Sequence, residues 1–115
     1  MTVLRVVPVL TVRDLAAAIA LHANTLGLTV VMNHGWIATL ARPDQSMQLS
    51  LITEDLTAPC NPALSVEVDD VDAHHALALA SGVEIVHPLT DEDWGVRRYF
   101  YRDAAGNVVN VLAHR

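Results

Sequence analysis

The sequence predicts an α+β fold built from two tandem βαβββ modules. Three observations support this expectation. First, the chain repeats itself. Val9-Leu10-Thr11-Val12-Arg13-Asp14-Leu15 and Ser65-Val66-Glu67-Val68-Asp69-Asp70-Val71 are alternating β-type runs that end in an acid, at an offset of 56, and Leu40–Ile52 matches Phe100–Leu112 at an offset of 60, with Arg42 answering Arg102 and Ser50 answering Asn110. Second, an Ala-rich segment of helical period follows each of the first pair of runs. Third, Asp103-Ala104-Ala105-Gly106 separates two further alternating runs, as a tight hairpin turn does. Two copies of about 55 residues are too few for a solenoid, which leaves a duplicated module.

Leu4–Val12 alternates and reads as the first strand. Asp14 is placed to cap the helix that follows, Leu15–Leu26, and Gly27 to end it; Leu15, Ile19, His22 and Leu26 give that helix a core-directed face. Strands are expected at Leu28–Asn33, Trp36–Ala41 and Met47–Thr53. A turn-rich connector, Glu54–Pro62, holds Pro59 and Pro62 and links the halves. The second half repeats the order with strand Ala63–Val68, helix Val71–Ser81 and strands Glu84–His87, Val96–Arg102 and Asn107–Ala113. The expected organisation is one domain over residues 1–115, with module one at 1–53, the connector at 54–62 and module two at 63–115.

The Asp103–Gly106 segment has the chemistry of a type I turn closed by a left-handed Gly, which sets Asp103 opposite Asn107, Phe100 opposite Asn110 and Arg98 opposite Leu112. Side chains alternate along a strand, so Arg98, Phe100, Val108, Asn110 and Leu112 are expected on one face and Tyr99, Tyr101, Val109 and Val111 on the other. The second set suits packing beneath a helix, and the first mixes apolar and polar groups as a ligand-lining face does. A different turn length would invert the assignment.

Composition narrows the function. The chain is 52% hydrophobic and 17% charged, which excludes a disordered chain, yet it holds only two Trp, two Tyr and one Phe, so an aromatic that lines a pocket stands out. Thirteen acids against seven bases leave a net charge of −6, with no basic face for nucleic acid and a bias towards cationic partners or substrates. Cys60 is the only cysteine, so no intrachain disulfide and no Cys-rich zinc site forms. The longest apolar stretch, Leu15–Leu21, is far short of the roughly 20 residues that span a bilayer, and a cytoplasmic location is expected. There is no Gly-x-Ser-x-Gly elbow and no phosphate-cradling glycine loop, and Cys60 has no evident base, so nucleophilic catalysis finds no support.

The whole chain resembles the vicinal oxygen chelate superfamily, the group of glyoxalase I, bleomycin-resistance proteins, fosfomycin-resistance enzymes and extradiol dioxygenases. The resemblance rests on the segment from Trp94-Gly95 through Arg102-Asp103-Ala104-Ala105-Gly106-Asn107 to Asn110-Val111-Leu112, on Leu10–Leu15 with Leu26-Gly27-Leu28, and on Val66–Val71. It implies mixed sheets curved into half-barrels with helices on the convex side, and four metal-ligand positions, one on the first and one on the last strand of each module. These fall at Val7, Ser50 (Gln48 if the register slips), Ala63 and Asn110. Divalent ions need converging nitrogen or oxygen donors, which Val7 and Ala63 lack, while Asn110 is a neutral amide and Ser50 a poor ligand. The resemblance therefore lies closest to the metal-free, bleomycin-resistance-like branch. It implies a homodimer that sequesters a flat, often cationic molecule in an aromatic-lined groove, and half-open sheets leave edges that a second copy would cover.

The ligand-binding candidates are Trp94, Phe100, Trp36, Arg98, Asn110, Ser50, Gln48 and His34. Trp94 and Trp36 are stacking platforms or core side chains; Phe100 floors the groove or packs the barrel. Arg98 pairs with a ligand anion or with an internal acid, and Asn110 bonds a ligand or a backbone group. His34 sits beside Gly35 at a strand end. His74 and His75 are adjacent on a helix and read as solvated surface, His22 as packing, and His87 and His114 as strand-end residues without a partner in sequence. Asp91-Glu92-Asp93 reads as a charged loop that is solvated or draws a cation. The expected function is metal-independent binding of a small hydrophobic or planar compound such as an antibiotic, with no cofactor. The alternative is a glyoxalase-like lyase or isomerase, or a dioxygenase-type enzyme, holding Zn, Ni, Mn or Fe through Gln48, Glu67, His34 or Asn110. A protein-interaction module is a third possibility.

Overall fold

The computed structural model describes all 115 residues. Its elements are β1 (Val3–Thr11), α1 (Leu15–Leu26), β2 (Thr29–Asn33), β3 (Ile37–Ala41), β4 (Gln48–Ile52), β5 (Leu64–Val68), α2 (Val71–Ser81), β6 (Glu84–Asp91), β7 (Val96–Arg102) and β8 (Val108–His114). This is an α+β chain of two tandem βαβββ modules, as the internal repeat predicts. Both helices have their expected bounds, because each carries its stop signals in its own sequence. Asp14 and Asp70 accept the backbone N–H three residues on, at 3.0 Å in each case, and Gly27 and Gly82 close the helices in the left-handed conformation. No helix is long and apolar enough to cross a membrane.

The chain divides into two units. Val7–Asn61 form the first; Met1–Val6 with Pro62–Arg115 form the second. In the first, the strand order is β2-β3-β4-β1, with β1 parallel to β4 and the other pairs antiparallel. Leu15 of α1 packs with Ala38, Leu40 and Leu51 on one sheet face, and Thr39 and Ser50 lie on the other. In the second, the order is β5-β8-β7-β6, with β5 parallel to β8. Val71 and Ala78 of α2 pack on Val68, Tyr99, Val109 and Val111. The amino terminus joins this unit through paired bonds: the Thr2 N–H donates to Asp69 Oδ1 at 2.8 Å and the Asp69 N–H to the Thr2 carbonyl at 3.1 Å.

The repeat is not in one register throughout. Val9 pairs with Ser50 and Ser65 with Asn110, which keeps β1 and β5 at an offset of 56 and β4 and β8 at 60. Ser50, however, lies opposite Thr39, whereas Asn110 lies opposite Phe100, so β3 and β7 correspond at an offset of 61 rather than the expected 60. The cause is loop length. Six residues separate the paired Ala41 and Gln48, and five separate Arg102 and Val108. One residue is half the side-chain period, so Leu40 goes beneath α1 while Phe100 faces the other way.

One strand runs longer than expected. β6 continues past His87 to Asp91, through Pro88. It pairs only with β7 and ends the sheet, so the missing Pro N–H costs no ladder bond, and two register shifts absorb the irregularity. Trp36 and Ala63, expected as first strand residues, lie just before β3 and β5.

The β7–β8 turn forms as expected. Asp103 Oδ1 accepts the N–H groups of Ala105 and Asn107 at 3.0 and 2.8 Å, and Oδ2 accepts Asn107 Nδ2 at 2.9 Å. Gly106, at φ 90°, supplies the positive dihedral that closes the loop. These bonds, with those from the Asn107 side chain leading, hold the Asp103 carboxyl below its ordinary value of 3.8. A depressed carboxyl stabilises the fold above its unfolded value, and the contribution disappears as pH falls through the folded one. Asp103→Asn is therefore expected to lower the urea midpoint at pH 7, and the gap from wild type should close as pH falls below 3.8. A gap that persists unchanged at pH 2 would show that the carboxylate charge is not what the turn uses.

Candidate functional site

The second unit gathers a buried polar cluster on the sheet face opposite α2. The register Arg98↔Leu112, Phe100↔Asn110 and Ser65↔Asn110 places Arg98, Phe100, Asn110 and Ser65 together, as the alternation predicts. The Arg98 guanidinium carbon lies 5.0 Å from the Trp94 ring centroid and 4.8 Å from that of Phe100. Arg98 is 4% exposed and Phe100 0%, while Trp94 keeps 45% of its surface open. Phe100 is thus not a groove floor: the cation and His87, whose ring centroid lies 5.2 Å from its own, cover it.

Arg98 takes the internal alternative, and its acid comes from the run that reads in sequence as a charged loop, solvated or drawing a cation. Glu92 is 5% exposed, with Oε1 3.0 Å from His87 Nε2 and 3.5 Å from Arg98 Nε, the latter an ion pair rather than an aligned hydrogen bond. The expected loop over 88–95 is a four-residue turn instead. The Glu92 N–H donates to the Val96 carbonyl at 2.8 Å, and the Glu92 carbonyl accepts from the Gly95 N–H at 3.3 Å and from Arg115 Nη2 at 3.0 Å. Closing the turn sets Glu92 opposite Val96, hence on the Arg98 face. The signal was present in Asp93-Trp94-Gly95, whose turn chemistry extends the β6–β7 hairpin. Asp91 is equally committed, 3.1 Å from Arg97 Nη1. Two of the three acids in the run are therefore paired within the protein, and His87 is not without a partner.

His114 also gains a partner, Glu67, at 2.8 Å, and Arg5 Nη2 lies 3.4 Å from the same oxygen. On the helix side, His75 is no bare surface residue: its ring meets Tyr99 edge-on with centroids 5.0 Å apart. The Tyr99 hydroxyl donates to the His74 carbonyl at 3.3 Å, and burial raises the Tyr99 pKa.

Ser50, Gln48, Trp36 and His34 belong to the first unit and are brought together only in part. Ser50 and Thr39 share a buried hydrogen bond of 2.9 Å. Gln48 Nε2 donates to the Gln45 carbonyl at 3.3 Å. Trp36 is half-buried and its carbonyl accepts the Thr53 N–H, while His34 is exposed in the turn before β3.

The donors at the four implied metal positions do not fit a divalent ion. Val7 and Ala63 carry no donor atom and the Ser50 hydroxyl is engaged with Thr39, which leaves Asn110 Oδ1, a single neutral oxygen, while the amide nitrogen donates to Ser65 Oγ at 3.1 Å. No group of three or more His, Cys, Asp or Glu residues is placed to hold a metal.

A family model, glyoxalase/bleomycin resistance protein/dioxygenase superfamily, matches residues 3–111. Solved structures share the fold. One described as an NAD-dependent benzaldehyde dehydrogenase from Legionella pneumophila has a TM-score of 0.80 at 16% identity, over 96% of this chain and 100% of its own. A glyoxalase/bleomycin resistance protein/dioxygenase superfamily member from Vibrio splendidus 12B01 has a TM-score of 0.71 at 16% identity, over 99% and 100%. A protein from Staphylococcus aureus reaches 0.71 at 13% identity, over 100% of both chains. No curated protein matches at a significant level.

Removing one member of a buried ion pair strands the other. Glu92→Ala is expected to destabilise the fold by about 3–5 kcal/mol in urea unfolding, and Glu92→Ala with Arg98→Leu by less than the sum of the single changes. Additive losses would mean that the two side chains do not act as a pair.

Proposed function

The chain belongs to the glyoxalase/bleomycin resistance protein/dioxygenase superfamily, and on that premise we propose that it is a metal-independent binding protein that sequesters a small hydrophobic or planar molecule. The observation that carries this reading is the donor set. Of the four positions where the family places metal ligands, two are aliphatic, the third is a hydroxyl bonded to Thr39, and the fourth offers a single neutral amide oxygen. Sequestration needs affinity and no reacting group. Trp94 supports it: a large aromatic, 45% exposed, stacked on a buried cation that restrains its orientation. A net charge of −6 favours cationic over anionic ligands at long range. An antibiotic is one such compound. The same reading takes the protein as a cytoplasmic homodimer. Its support is the exposed edge strand β2, where Val30 and Val31 leave apolar surface that a second copy would cover.

A thermal-shift screen tests the proposal, with Zn²⁺, Ni²⁺ and Mn²⁺ in one arm and planar aromatic or cationic glycopeptide antibiotics in the other. A rise in Tm with a drug alone is expected, and Trp94→Ala should weaken that drug's binding by roughly 2- to 30-fold. Stoichiometric metal in the purified protein, with stabilisation by metal alone, would instead favour the enzyme.

A further inference from the structure

We propose that Asn110 and Ser65 form a donor–acceptor pair that recognises the amide edge of a planar ligand, such as a lactam. This rests on the metal-free binding reading above and assigns it a ligand class. Ser65 on β5 and Asn110 on β8 are register partners in parallel strands, so both side chains emerge on the same face of the sheet. Asn110 Nδ2 donates to Ser65 Oγ at 3.1 Å. That bond uses one half of the amide. The other half, Oδ1, is buried without any hydrogen-bond partner, on a side chain that is 6% exposed.

An unpaired buried carbonyl is uncommon, because it has given up water for nothing in return. The cost is offset when a ligand brings the missing donor. Ser65, having accepted the Asn110 bond, still has its hydroxyl proton to give. The pair therefore presents an acceptor and a donor side by side. Its complement is an N–H next to a C=O, the edge shown by a lactam or a primary amide. A carboxylate would set oxygen against Oδ1 and lie near the Glu67 carboxylate, since Glu67 is partnered with Leu112 one step along the same face. The Arg98 cation is already held by Glu92 and the Trp94 and Phe100 rings, so the site's positive charge is committed to the protein. Leu112, two residues along β8 and so on the same face as Asn110, supplies the apolar flank that a planar ring needs. Ser65, Leu112 and Glu67 around the pair are only half-buried.

Two probes that differ by a single N–H test the inference: 2-quinolone, a planar lactam, and its N-methyl derivative, each titrated calorimetrically into the metal-free protein. The wild type should bind 2-quinolone about tenfold or more tightly than the N-methyl compound. Asn110→Leu should bring the two affinities to within about twofold of each other, and Ser65→Ala should weaken 2-quinolone while preserving part of the preference. Equal binding of both probes by the wild type, a preference for the N-methyl compound, or a preference that survives Asn110→Leu would overturn the lactam assignment while leaving metal-free binding intact. Binding of neither probe also overturns it, and the antibiotic arm of the thermal-shift screen then decides the broader reading on its own. Binding that requires added Zn²⁺ would overturn both.

Discussion

In the second unit, the hydrogen bonds that Asp103 makes around Gly106 determine where β8 lies against β7, and side-chain alternation does the rest. Tyr99, Val109 and Val111 go beneath α2; Arg98, Phe100 and Asn110 go to the other face. A slip of one residue would exchange the two sets. It would drive a guanidinium and an amide into the apolar layer under the helix, where an unpaired charge costs several kcal/mol. Turn chemistry and desolvation thus enforce the same register, and every feature of the candidate site depends on it.

Once Arg98 is confined to that face, the surroundings must satisfy it. Trp94 and Phe100 lie against the guanidinium, Glu92 neutralises it and His87 holds Glu92. Such clusters add little net stability compared with apolar packing, but they specify one arrangement. Here that arrangement fixes the turn carrying Trp94, which Arg115 also braces through the Gly95 and Glu92 carbonyls. An aromatic already restrained loses less freedom when a ligand stacks on it.

The two modules show how far a duplicated pattern can diverge through a single loop residue. Both keep a polar pair at the end of the repeat, Ser50 with Thr39 and Asn110 with Ser65. The pairs differ in partner strand: Thr39 comes from the antiparallel neighbour and Ser65 from the parallel one. Only the second leaves a carbonyl unsatisfied. The first module closes its sheet face with a neutral hydroxyl pair, and the second builds a charged cluster and an open hydrogen-bonding demand.

Much of this was legible in the sequence because it is local. Helix caps, the Asp103 turn and strand alternation each act within a few residues, so both helices, the β7–β8 register and the grouping of Arg98, Phe100 and Asn110 follow from the sequence alone. What only the tertiary structure decided depends on groups that local pattern cannot bring together. Pro88 looked like a stop, yet at a sheet edge its missing N–H costs nothing, so β6 runs on and its turn carries Glu92 inward to His87 and Arg98. His114 met Glu67 across β8 and β5. Those contacts are governed by burial and charge pairing between strands, which the order of residues along one strand does not encode.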